Sequence, residues 1–109
     1  MTLINLLFVI LLYVIKSNII KKMELKEIRK ILDEIDIKIL KLIAERQSHM
    51  KDVADYKKQH NMPLNQPERE AEVLKNKTEL GKKLGVDSDL IEDIFASLFK
   101  NAKKIQGEK

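Results

Sequence analysis

The chain has 109 residues, a formal charge of +4 and no cysteine, so by length it is one small domain, without disulfides, thiolate metal sites or thiol catalysis. Its two histidines, His49 and His60, are too few and too far apart for a metal cluster, and the scarcity of Gly, Pro and aromatic residues favours helix over strand. The charge is no nucleic-acid signal: Lys16, Lys21 and Lys22 precede Met23 in a stretch without acids, and the remainder carries 18 basic against 17 acidic residues.

Residues 1–22 form an apolar leader unlike the rest. Leu3 to Ile15 is interrupted only by Asn5. As a helix this run reaches about 20 Å, short of the roughly 30 Å of a bilayer core. It lacks the basic start and small-residue cleavage site of a secretory signal. The expectation is a start placed too early, with Met23 opening the functional chain and the protein cytoplasmic. The alternatives are a membrane tether, for which the three lysines would suit a cytoplasmic flank, and an extension that packs on the domain.

From Met23 the pattern is helical. Ile28, Ile31, Ile35, Ile39, Leu42, Met50 and Val53 recur at three- and four-residue steps, and no Gly or Pro interrupts Met23 to Met62. This predicts a first helix of about 35 residues, ~50 Å long, ending near His60 and Asn61. A stripe of that length cannot be covered within one small chain, which predicts a dimer. Pro67 suits the first position of a second helix, with Glu68 and Glu70 at its positive end and Gly85 as a left-handed stop. Asp87 or Ser88 then caps a third helix whose predicted buried face is Ile91, Ile94, Phe95, Leu98, Ala102 and Ile105. The fold class is all-α: three helices, the first very long, in an intertwined antiparallel helical dimer.

Polar residues interrupt these apolar faces. Arg46 stands between Leu42 and Met50, where the stripe should be apolar. Lys57 follows eleven residues later, on the same face and about 16 Å along the axis, a spacing from which long side chains can converge on a small anion. Alone, either cation reads as a snorkelling side chain. Arg29 lies about 25 Å before Arg46 and a quarter turn away, so any shared chemistry needs a neighbouring subunit. Glu70 is explained by the helix dipole and Arg69 is not. Gln106 continues the Phe95, Phe99, Ala102 face, where an amide either caps the helix or points into a polar cavity. No Ser-His-Asp set, metal motif or phosphate-binding glycine loop is present.

The order and spacing of these blocks resemble the all-helical (type II) chorismate mutases. IRKILDEIDIKILKLIAER (28–46) is similar to that family's first-helix signature. VADYK (53–57) and PLNQPERE (63–70) resemble its next two blocks, and IFASLFKNAKKIQ (94–106) its last helix. The resemblance covers about Met23 to Gln106, within a domain taken as 23–109. It implies a homodimeric isomerase, without cofactor or metal, that converts chorismate to prephenate on the route to phenylalanine and tyrosine. It implies that Arg46 grips a substrate carboxylate and that Arg29 comes from the partner subunit. Lys57 and Gln106 would hydrogen-bond the ether oxygen, Arg69 would add a cation, and Glu70 would accept from the substrate hydroxyl. Two positions depart from the pattern: Gln66 stands where an aspartate is common near the hydroxyl, and Ala102 where a polar residue often touches a carboxylate. Weaker binding is expected from both. The alternatives are an isochorismate-pyruvate lyase on the same scaffold and a non-catalytic helical dimerisation module.

Overall fold

The computed structural model describes residues 2–21 and 23–107, and among these there are four helices and no strand. Met1 and Lys22 of the leader and Glu108 and Lys109 of the domain lie outside the described residues. The chain divides into two compact units, Met1–Lys41 and Leu42–Lys109.

The first unit opens with α1, Leu3–Lys21. The Thr2 hydroxyl accepts a hydrogen bond from Asn5 N at 3.3 Å and so satisfies one of the donors a helix start leaves open. The leader is therefore itself largely a helix, and the described residues form four helices where three were expected. It continues beyond the apolar run because Lys16 to Lys21 contain no Gly or Pro. Its large apolar side chains from Leu3 to Ile15 are all exposed. Among the described residues no helix is long and apolar enough to cross a membrane.

The long expected helix is α2, Leu25–Gln59, 35 residues. Its first part belongs to the first unit and its remainder to the second. Ile28, Ile31, Ile35 and Ile39 are each 39–49 % exposed, and Leu42 is 64 % exposed. The stripe is thus periodic but uncovered. The helix stops in a Schellman turn: Asn61 adopts a left-handed φ of 52°, Met62 N donates to Lys57 O at 2.8 Å, and Asn61 N donates to Lys58 O at 3.4 Å. Asparagine is one of the few non-glycine residues that tolerates this conformation. The turn sends Pro63 and Leu64 back past the last turn of α2.

Helix α3, Pro67–Lys83, starts on Pro67, and the Gln66 side chain at its N-cap makes no capping hydrogen bond. A second Schellman turn closes it, with Gly85 at φ +75° and Val86 N donating to Gly81 O at 2.8 Å. Helix α4, Ser88–Ile105, is capped by Asp87, whose carboxylate accepts from Leu90 N at 3.4 Å. Of its expected buried face, Ile91 and Ala102 are buried and Phe95, Leu98 and Ile105 are half-buried. Ile94 is the correction: it is 46 % exposed, so its place on the apolar face does not bury it.

Helices α3 and α4 pack where Gly81 meets Ile91. A Cβ on Gly81 would collide with Ile91 Cδ1 and come within 3.3 Å of its Cγ1. Ile91 is only 6 % exposed and has little room to turn away. Overpacking costs about 1–3 kcal/mol, partly offset by the ~1 kcal/mol helix preference of alanine over glycine. Gly81→Ala is therefore expected to lower stability by about 1 kcal/mol, read as a reduced midpoint in urea unfolding; an unchanged or raised midpoint would mean that this contact is not tight.

Candidate active site

The most buried positions of the second unit are an unusual set. Ala54, Ile91 and Ala102 are apolar, but Lys57 and Gln106 are equally inaccessible, at 7 % and 9 %. A buried ammonium is costly unless its donors are satisfied. Here Lys57 Nζ donates to Leu64 O at 2.9 Å and to Gln106 Oε1 at 2.8 Å. The first bond depends on the Schellman turn that returns Leu64 to α2. The second joins residues 49 positions apart in sequence, from the end of α2 to the C-cap of α4.

This geometry fixes the orientation of the Gln106 amide. An ammonium can only donate, so the amide oxygen must face Lys57. The NH2 group is then turned away from Lys57 as a donor, and Lys57 retains a third N–H. The pair lines a cavity of about 340 Å³, within the range of small-molecule sites. Arg46, Gln66, Arg69, Glu70 and Lys103 also line it, and Met50, Val53, Val73 and Phe99 supply apolar wall. The lining thus contains four cations and one carboxylate, which favours an anionic occupant of small size.

Each expected site residue can now be placed. Arg46, Lys57, Gln66, Arg69, Glu70 and Gln106 share the cavity. Arg46 has no carboxylate partner among the described residues and is half-buried, poised for an external one. Arg69 donates from Nη1 to Glu72 Oε1 at 2.9 Å, an exposed pair on α3. Glu70 pairs with Lys103 Nζ at 3.0 Å. Ala102 lines the cavity without a polar atom on its side chain. Arg29 belongs to the first unit and is not among the lining residues. Lys103 was missed from the sequence. Its signal was faint: it lies four residues after Phe99 and three before Gln106, the spacing of one helix face. Gln47 Nε2 donates to Asn101 Oδ1 at 2.9 Å and ties α2 to α4 beside the cavity.

The Gln106 argument gives a pH-dependent prediction. A glutamate at this position is an acceptor when ionised, so it pairs with Lys57 and offers nothing to an oxygen in the cavity. It regains a donor only when protonated, near or below the ordinary value of about 4.3, because Lys57 favours the ionised form. Gln106→Glu is therefore expected to lower kcat/KM about 10²-fold at neutral pH and to recover steadily on acidification. A pH profile parallel to that of the wild type would remove Gln106 from the donor role.

Residues 28–107 match the family described as chorismate mutase type II. The chain is 48 % identical over 83 residues to a protein of Methanocaldococcus jannaschii named chorismate mutase, covering 76 % of this chain and 84 % of that one. It is 31 % identical over 86 residues to the T-protein of Enterobacter agglomerans, covering 79 % of this chain and 23 % of that one. It is 41 % identical over 61 residues to a bifunctional chorismate mutase/prephenate dehydratase of Aquifex aeolicus, covering 56 % of this chain and 17 % of that one. The chain therefore spans most of the archaeal relative and less than a quarter of the two longer ones. No solved structure matches the chain significantly.

Proposed function

The chain belongs to the type II chorismate mutase family, and from that premise we propose that it rearranges chorismate to prephenate in the cavity between α2, α3 and α4. The observation that carries this reading is the buried Lys57–Gln106 pair, whose donors face a small cation-rich cavity. The reaction is pericyclic: the ether carbon–oxygen bond of chorismate breaks as a carbon–carbon bond forms, and every atom stays in the molecule. It needs no nucleophile or proton shuttle. It needs a folded substrate and compensation for the negative charge that grows on the ether oxygen.

Arg46 performs the first task by holding a substrate carboxylate with its planar fork, which removes part of the entropic barrier. Lys57 and the Gln106 NH2 perform the second as preorganised donors, more effective out of water than in it. Glu70 accepts from the ring hydroxyl, and Gln66, whose amide makes no helix cap, lies beside it as a further acceptor. Arg69 joins by exchanging Glu72 for substrate, a cheap exchange because exposed pairs contribute at most about 1 kcal/mol. Ala102 offers no hydrogen bond, so weaker carboxylate binding is expected.

The functional unit in this reading is a homodimer of residues 23–109 in the cytoplasm. The uncovered stripe from Ile28 to Leu42 supports it, since a second copy of α2 laid antiparallel buries that stripe. The same arrangement delivers Arg29 of the partner subunit to the cavity, which within one subunit lacks it. Catalysis does not require residues 1–22.

The direct test offers the purified full chain chorismate and isochorismate in parallel, with products identified by chromatography. The expected result is prephenate from chorismate and no pyruvate from isochorismate. Pyruvate release from isochorismate without prephenate formation would move the chain to the lyase alternative, and inertness toward both to a non-catalytic dimerisation module.

A further inference from the structure

The one carboxylate of the cavity does not stand alone. Lys103 Nζ lies 3.0 Å from Glu70 Oε1, with the two side chains 33 % and 29 % exposed and both lining the cavity. Glu70 is in the first turn of α3 and Lys103 in the last turn of α4, so the pair joins two helix ends across the mouth of the site. Arg69, adjacent in sequence, is turned to Glu72 and is not the counter-ion of Glu70.

We infer that Lys103 is a positioning residue of the active site, holding the Glu70 carboxylate by one oxygen so that the other is presented to the substrate hydroxyl. The inference rests on the mutase reading above. Its physical basis is competition. Arg46 and Lys57 line the same cavity, and an unrestrained carboxylate there is drawn toward them. A Glu70–Arg46 or Glu70–Lys57 pair would occupy a cation needed by the substrate carboxylate or by the ether oxygen. The Lys103 ammonium at the rim supplies Glu70 with a counter-charge that has no other role. Pairing through one oxygen leaves the second oxygen as an acceptor, which a bidentate partner would not. Gln66, uncharged, cannot perform this restraint.

A double-mutant cycle on the full chain tests the assignment. Wild type, Lys103→Met, Glu70→Gln and the double variant are assayed for kcat and KM on chorismate, with Lys103→Arg as the conservative variant. Lys103→Met is expected to lower kcat/KM about tenfold, the double variant to be no worse than Glu70→Gln alone, and Lys103→Arg to restore most of the loss. Three results would overturn the assignment: kcat/KM unchanged in Lys103→Met with only the unfolding midpoint lowered, which is a helix staple; losses that multiply in the double variant, which is direct substrate contact; or no rescue by arginine. A wild-type chain that does not consume chorismate overturns the mutase reading and this inference together, whereas a wild-type chain that does, with multiplying losses, overturns this inference alone.

Discussion

Replacing Lys57 by methionine is expected to lower kcat on chorismate about 10³-fold while leaving KM within a few-fold of wild type. Methionine keeps the apolar stem of the buried side chain and removes its three donors. Removing a single preorganised donor from an oxyanion-type site costs about 10²–10³-fold in kcat. Lys57 is placed at the upper end because it does two things. In the proposed reading it donates to the ether oxygen itself, and its 2.8 Å bond to Gln106 Oε1 holds the amide oxygen, leaving the NH2 free to donate as well. Without it the amide can turn, and the second donor is lost in part with the first. The substitution also leaves Leu64 O and Gln106 Oε1 without their donor, at a stability cost of about 1–3 kcal/mol. Helical circular dichroism and the unfolding midpoint of the same sample separate that cost from the catalytic one. A folded Lys57→Met variant with near-wild-type kcat would remove Lys57 from the chemistry.

Arg46→Ala is expected to act differently. Arg46 has no carboxylate partner among the described residues, so its removal leaves no carboxylate among them unpaired. In the proposed reading the loss falls on substrate, whose carboxylate then enters the cavity without its fork. Truncating one partner of a desolvated charge pair costs roughly 2–5 kcal/mol, which is about 30-fold to several thousand-fold in kcat/KM. KM should rise strongly, and kcat should fall as well, because a substrate held at one end only spends less time folded for reaction. The unfolding midpoint should stay near that of the wild type. A variant with unaltered KM would place the carboxylate on another cation of the cavity, Arg69 first.

Much of the fold was legible because its signals are local. The absence of Gly and Pro between Met23 and Met62 specifies α2, Pro67 opens α3, Gly85 closes it, and Asp87 caps α4. Each depends on neighbours within a few residues. The exposure of Ile94 was not legible in this way, because its position on the apolar face of α4 says nothing about whether an element of the same chain lies opposite. The leader helix was legible only as an apolar run, since periodicity cannot tell an unpartnered helix from a greasy tail.

The site divides along the same line. That Arg46 and Lys57 share a helix face follows from their eleven-residue spacing. That Lys57 meets Gln106 does not, because contact across 49 residues depends on how α4 returns to α2; resemblance to a known family supplied it, and the geometry adds which amide atom faces which way. Arg69 was read as a cavity cation, and its 2.9 Å pair with Glu72 one turn along α3 went unnoticed although the spacing allows it. Little in the sequence sets Lys103 apart from Lys100 and Lys104 on the same helix. Only the approach of α3 to α4 gives it Glu70 as a partner.

The central claim is an active site completed by a second subunit, and subunit mixing tests it most directly. Arg29→Ala and Arg46→Ala chains, each expected to retain little activity alone, are mixed, unfolded and refolded together. If each site draws Arg46 from one subunit and Arg29 from the other, a mixed dimer contains one site with both arginines and one with neither. Random pairing then restores about a quarter of wild-type activity per chain. Recovery near that level is the predicted result. No recovery from a mixture that refolds to dimers would contradict the claim and place both arginines in the site of a single chain.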